Sequence, residues 1–258
     1  MAELEALLFD VDGTLADTER QGHRVAFNAA FVEAGLDWHW DEALYGQLLQ
    51  VTGGKERIDY YLKKFNREFE VAGNRADFIA GLHHAKTSHY TRLLEEGGIP
   101  LRTGVRRLLT EARQAGLRLA VATTTTPDNV TALLHSSLED GASWFEVIAA
   151  GDVVPAKKPA PDIYVWAMRQ MDLEPDVCLA LEDSHNGVRA VLDADIRSLV
   201  VTVNGYTRDE DFTGAGLVVD HLGDPGEPCT ALAGDLGGRE RVDIGLLREI
   251  HAASTAPA

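Results

Sequence analysis

The strongest constraint on the fold of this chain is a repeated alternation. Short apolar runs are separated by stretches with helical spacing. The runs are "LEALLFDV" (4–11), "LRLAVAT" (117–123), "FEVIAA" (145–150), "VCLALED" (177–183) and "RSLVVTV" (197–203). Between them, "GVRRLLTEARQAG" (104–116) places apolar residues at helical spacing and ends on glycine. "TPDNVTALLHSSL" offers Thr126 as a cap and Pro127 in the first turn. Strand and helix in alternation predict an α/β fold with a Rossmann-like parallel sheet.

The spacing breaks once. Residues 12–116 separate the first run from the second and carry no convincing strand. A simple crossover needs far fewer residues, so a small helical cap domain is predicted as an insertion after the first strand. We expect it over 17–92, with helices near 19–35, 41–50, 55–66 and 75–95, and a discontinuous core domain over 1–16 and 93–258. The 258 residues leave room for both parts. Beyond about 220 the sequence turns to glycine, proline and charge, "HLGDPGEPCTALAGDLGG", and is expected to wrap the surface or fray.

Composition excludes several classes. A net charge of −17 argues against broad nucleic-acid binding, which needs a basic face. No apolar stretch is long enough to span a bilayer, and "MAELEALLFD" is acidic where a signal peptide would be basic. The two cysteines, Cys178 and Cys229, lack metal-binding spacing and read as free thiols in a reducing cytoplasm. A monomer is expected.

Ligands of an open parallel sheet bind beyond the carboxyl ends of its strands. The first run ends in Asp10 and Asp12, and the second in Thr123, Thr124 and Thr125. "KKPAPD", with Lys157 and Lys158, follows the third, and the fourth ends in Glu182 and Asp183. Each alone has an ordinary role as turn former, cap or solvated charge. Together they bring two acid pairs, a hydroxyl and an ammonium to one sheet edge. Clustered carboxylates call for a cation, and oxygen-only ligands suit Mg²⁺, which shares its site readily with phosphate. An aspartate beside such a metal can attack phosphorus, and a second acid can move the proton.

In order and spacing, "DVDGTL", the threonine after the second strand, "KKPAPD" and "LEDSHNG" resemble the four motifs of the haloacid dehalogenase superfamily. The resemblance covers about residues 4–205. It implies Asp10 as nucleophile, Asp12 as general acid and base, and Thr123, Thr124 and Lys158 as phosphate ligands. It also implies a Mg²⁺ site from Asp10, Glu182, Asp183 and the main-chain carbonyl of Asp12. The dehalogenases that name the superfamily lack an acid at the position of Asp12, so its presence favours phosphoryl transfer. A phosphorylated signalling receiver also combines acid, threonine and lysine, but it carries no insert of this size.

Two segments of the insert are expected to face the site. "DTERQGHR" supplies Glu19, His23 and Arg24, and "VTGGKERI" supplies Gly53, Gly54, Lys55 and Arg57. Glycines before a helix with flanking cations suit an anion, here a second phosphate on the substrate. "TGGKER" and "GLVVDHLGDP" look like the CbbY-type branch, which implies removal of the 1-phosphate from xylulose 1,5-bisphosphate, a Rubisco inhibitor. The alternatives are a phosphomutase and a phosphatase of another small phosphorylated metabolite. In the related β-phosphoglucomutases a cap histidine falls, by counting, on Gly22, one residue before His23. His23 is therefore either a helix-face residue or that histidine shifted by one.

Overall fold

In the computed structural model, which describes residues 2–97 and 99–256, all five apolar runs form strands. They are β1 (Ala6–Phe9), β2 (Arg118–Thr123), β3 (Val147–Ala150), β4 (Cys178–Glu182) and β5 (Ser198–Thr202). Two short strands, β6 (Leu217–Val219) and β7 (Ala231–Ala233), complete a seven-stranded sheet of order β3-β2-β1-β4-β5-β6-β7. Every pairing is parallel except β6 with β7. The chain runs outward from β1 in both directions, so the strand order reverses between β1 and β4. That crevice is where an open sheet accepts a ligand. Phe9 is in register with both Val121 and Leu181, which sets the ends of β1, β2 and β4 side by side.

Strand alternation sorts the core onto two faces. Leu7, Phe9, Leu119, Val121 and Leu181 point toward helices α5 (Val105–Gln114), α6 (Pro127–Ser137) and α9 (Ile244–Ser254). On the opposite face, Ala6, Ala120, Ala122, Ala149 and Ala180 let α7 (Asp162–Met171) and α8 (His185–Asp193) pack against the sheet. Cys178 and Cys229 are free and buried.

The insertion after β1 is helical: α1 (Arg24–Glu33), α2 (Glu42–Leu48), α3 (Gly54–Lys64) and α4 (Arg75–Glu95). Its own core is largely aromatic, with Phe27, Phe31, Trp38, Trp40, Tyr45 and Tyr61 among the buried residues. Helix α4 runs through the expected boundary at residue 92 to Glu95.

The segment after 220 differs from expectation. It does not fray. It holds β7 and α9, and Leu246, Leu247 and Ile250 of α9 are buried on the sheet. Arg107 pins the stretch from below, donating to the carbonyls of Leu222, Gly223 and Val242 at 2.9, 2.7 and 3.0 Å. Polar, glycine-rich composition concealed a segment held by main-chain acceptors, which leave no trace in residue type.

Candidate active site

The strand β1 stops at Phe9, and the chain then folds back on itself. The amides of Thr14, Leu15 and Ala16 all reach the carbonyl of Val11, and Gly13 takes a left-handed φ of +89°. Only glycine fits there, since a Cβ would lie 2.0 Å from Asp183 Oδ2. This turn cancels strand alternation and sends the two aspartates apart.

Asp10 faces the β4 end. Its Oδ1 accepts from Lys158 Nζ at 2.7 Å, and the same ammonium donates to Glu182 Oε1 at 2.5 Å and to the Ala122 carbonyl at 2.8 Å. Oxygens of Asp10, Glu182 and Asp183, all buried, lie within 4.8 Å of one another. Tyr164 also donates to Glu182 at 2.5 Å, and Asn204 donates to Asp183 Oδ2 at 2.7 Å. Burial pushes Asp10 up to about 8; Lys158 opposes the shift, while Glu182 and Asp12 add repulsion. Burial also raises Asp183 well above the carboxylate range, with Asp10 and Glu182 contributing. Ionised together, three carboxylates against one ammonium would leave two charges unbalanced, and all the donors are oxygens. Such a set fits a hard divalent cation.

Asp12 turns the other way. Its Oδ1 accepts from Thr18 Oγ1 at 2.5 Å and from His23 Nε2 at 2.8 Å. Lys86 Nζ lies 2.8 Å from His23 Nδ1. An ammonium can only donate, so Nδ1 accepts and Nε2 carries the proton given to Asp12. Against the cost of burial, His23 and Thr18 hold Asp12 down to about 2. Burial lowers Lys86 to about 8, opposed by Asp12 and Glu19.

His23 reaches Asp12 through a π turn over Glu19–His23, in which the Arg24 amide bonds the Glu19 carbonyl five residues back. The wider turn absorbs one extra residue. Gly22 instead presses on Tyr90 and Ile99, where a Cβ would sit 2.8 and 2.5 Å from side-chain carbons. The offset between counting and geometry is therefore local. Arg24, one step further round the helix, does not line the site; it faces the Trp40 carbonyl at 3.4 Å and Glu42 at 3.8 Å.

Two cavities meet at Asp12, Glu19, Arg57 and Thr124. The larger, about 560 Å³, also holds Asp10, Lys158, Asp183 and Asn204. The smaller, about 50 Å³, is lined by Gly53, Gly54, Lys55, His83, Lys86 and Lys157, with Thr125 and Thr126 at the start of α6. Of the cations expected there, Arg57 is buried and donates to Tyr45 at 2.8 Å, with Glu19 3.6 Å away. Its Nε has no hydrogen-bond partner. Lys55 bridges to Asp152 of the sheet side at 3.0 Å, and Lys157 contacts the same aspartate at 3.2 Å and Glu56 at 3.4 Å. Thr123 lines neither cavity, and its hydroxyl accepts from the Thr125 amide at 3.3 Å.

Several site residues were not foreseen: Thr18, His83, Lys86, Tyr164 and Asn204. Asn204 had a legible signal, since it follows the fifth strand and the strand-end reading stopped at the fourth. The others lie on helices or in the turn before one, where nothing in the sequence separates them from ordinary surface residues.

A mostly parallel sheet with a helical insertion after its first strand, and acids at adjoining strand ends, defines a haloacid dehalogenase-like hydrolase. The sequence profile of that family matches residues 4–195. The chain belongs to it, in the CbbY branch. It is 50% identical over 228 residues to the plasmid-borne protein CbbY of Cupriavidus necator, covering 87% of this chain and 88% of that one. Among solved structures it resembles CbbY of Rhodobacter sphaeroides in complex with phosphate, at 48% identity and a TM-score of 0.79, over 84% of this chain and 94% of that one. A mutant of the R. sphaeroides protein in complex with xylulose-(1,5)bisphosphate matches at 47% identity, with the same TM-score and coverage. No described helix is long and apolar enough to cross a membrane.

Proposed function

We propose that the chain is a Mg²⁺-dependent sugar-bisphosphate phosphatase that removes the 1-phosphate of xylulose 1,5-bisphosphate through an aspartyl phosphate. The observation that carries the reading is the divergence of Asp10 and Asp12, one facing the acid cluster and the other the His23–Lys86 pair. Asp10, Glu182, Asp183 and the Asp12 carbonyl would hold the metal, which supplies positive charge to the phosphoryl oxygens. An Asp10 oxygen bonds to phosphorus as the bond to the sugar oxygen breaks. Asp12 gives that oxygen a proton, then takes one from the water that attacks the same phosphorus and frees Asp10. At rest Asp12 is a carboxylate, so it must gain a proton before it acts as an acid. His23 Nε2, at 2.8 Å, provides one as Lys86 Nζ passes its own proton to Nδ1 at 2.8 Å, so the imidazole stays neutral. Lys158 and Thr124, with Thr123 behind it, complete the phosphate cradle.

The small cavity supports the distal phosphate. Lys55 and Lys157, the unpartnered Arg57 Nε and the N-terminal end of α6 converge there, and the Thr126 hydroxyl is buried without a partner. Gly53 and Gly54 keep the loop close, and residues 17–92 act as the cap that closes over the sugar. Glu19 would meet sugar hydroxyls. A panel of sugar phosphates with Mg²⁺, scored by released phosphate, tests the reading. Equal kcat/KM for mono- and bisphosphates would overturn the distal site.

One observation favours a second reading. His23 does reach Asp12, as the mutase histidine would, so a sugar phosphomutase stays the alternative. A mutase returns an isomer with almost no free phosphate.

A further inference from the structure

Arg102 stands where the chain returns from the helical insertion. Leu101 pairs with Ala16, and the Arg102 amide donates to the Leu15 carbonyl at 2.9 Å. The side chain then runs beneath the site. Nη1 donates to the Gly13 carbonyl, to the Thr202 carbonyl at 3.0 Å and to Thr202 Oγ1 at 3.0 Å. Nη2 donates to the carbonyls of Val203 at 2.5 Å and Asp220 at 2.7 Å. Every acceptor is a main-chain carbonyl or a hydroxyl, and none is a carboxylate. Arg102 is half-buried and makes no direct ion pair, and its bonds to neutral acceptors mark it off from an ordinary surface charge.

Apart from the Asp220 carbonyl, just past β6, the acceptors belong to the two arms that carry the chemistry. Gly13 follows Asp12, and its α-carbon is pressed against Asp183 and Asn204, where a Cβ would lie 2.0 and 2.6 Å from their side-chain atoms. Asn204 follows Val203 and donates to Asp183. One guanidinium therefore holds the glycine that follows Asp12 and the stretch leading to Asn204, which binds Asp183. We propose that Arg102 is a positioning residue for the phosphoryl-transfer site, fixing the spacing between the Asp10–Gly13 turn and Asp183. It touches no reacting atom. The planar fork suits this task, and the three donors of a lysine cannot reproduce five directed bonds.

The inference rests on the proposed phosphatase reading, and the test separates the two. Arg102→Lys in the full chain is compared with the parent by thermal melting, by Mg²⁺ titration calorimetry without substrate, and by kcat and KM on a sugar bisphosphate. Expected are melting within about 5 °C of the parent, Mg²⁺ binding weakened about 5-fold or more, kcat lowered about 10–100-fold, and KM changed less than about 3-fold. Unaltered Mg²⁺ affinity overturns the proposal, whether kcat is retained or falls only with the unfolded fraction. If the lysine variant does not fold, Thr202→Val removes one acceptor alone, with about 2–5-fold losses in Mg²⁺ affinity and kcat expected. No change in either then overturns it. A parent that releases no phosphate with Mg²⁺ fails the phosphatase reading instead, and is distinguished from an active parent with an indifferent variant.

Discussion

The two sides of Asp12 are built on different terms. On the acid side, Asp10, Glu182 and Asp183 lie at or just past the ends of neighbouring buried strands, and Lys158 is locked between two of them. On the basic side, Lys55 comes from the insertion and Lys157 and the threonines from the sheet, and both lysines rest on acids of the surface. The acid side is set by one sheet. The basic side exists only while the two halves touch. On the proposed reading, reaction chemistry sits on one sheet and substrate choice on a seam between two parts.

Four experiments would break or sharpen that contrast. Asp10→Asn should lower phosphate release by roughly 10³-fold or more, measured in single turnover, because the amide cannot act as nucleophile. Full activity would end the covalent reading of the acid side. Gly13→Ala should cost about 1–3 kcal/mol by denaturant titration and abolish most activity, since it strains a left-handed residue and drives a methyl into Asp183. Lys55→Ala with Lys157→Ala should raise KM for bisphosphates about 10-fold and leave monophosphates nearly unaltered. An equal effect on both would move the distal phosphate elsewhere.

The smallest effect concerns His83. Burial, with Lys86, Lys55 and Lys157 nearby, pushes it down to about 3. The unfolded chain takes a proton near 6.5 and the folded chain does not, so stability is lost as pH falls from 6.5 toward 3. His83→Gln should therefore recover about 1–2 kcal/mol at pH 5 relative to pH 7.5, read from melts at both. An identical pH dependence in parent and variant would remove His83 from the charged surroundings assigned to it.

The acid side was legible because each strand end announces itself: an apolar run stops and a polar residue follows. Asp10, Glu182 and Asp183 fall together for that reason, and Lys158, in the segment after β3, joins them through its motif. The basic side was legible only in part. "GGK" marked a loop, but nothing in residue type says that Arg57 also binds Tyr45 and lies beside Glu19, or that Arg24 faces away. His23 needed the π turn, which counting along the chain cannot supply. Strands β6 and β7 are three residues each, too short for a periodic signal, and α9 follows a stretch whose composition resembles a tail.

The pairing of Leu15 and Ala16 with Leu101 and Arg102 has a consequence for how such enzymes diversify. The polypeptide departs from the sheet and rejoins it at adjoining points, and the intervening helices are anchored there, with Tyr90 and Leu94 of α4 packed into the sheet-side core. Lengthening, trimming or exchanging them would leave the ends the sheet needs in the same place. Selection can therefore try new substrate walls on an unchanged reaction floor, and a laboratory graft between those four residues would follow the same route.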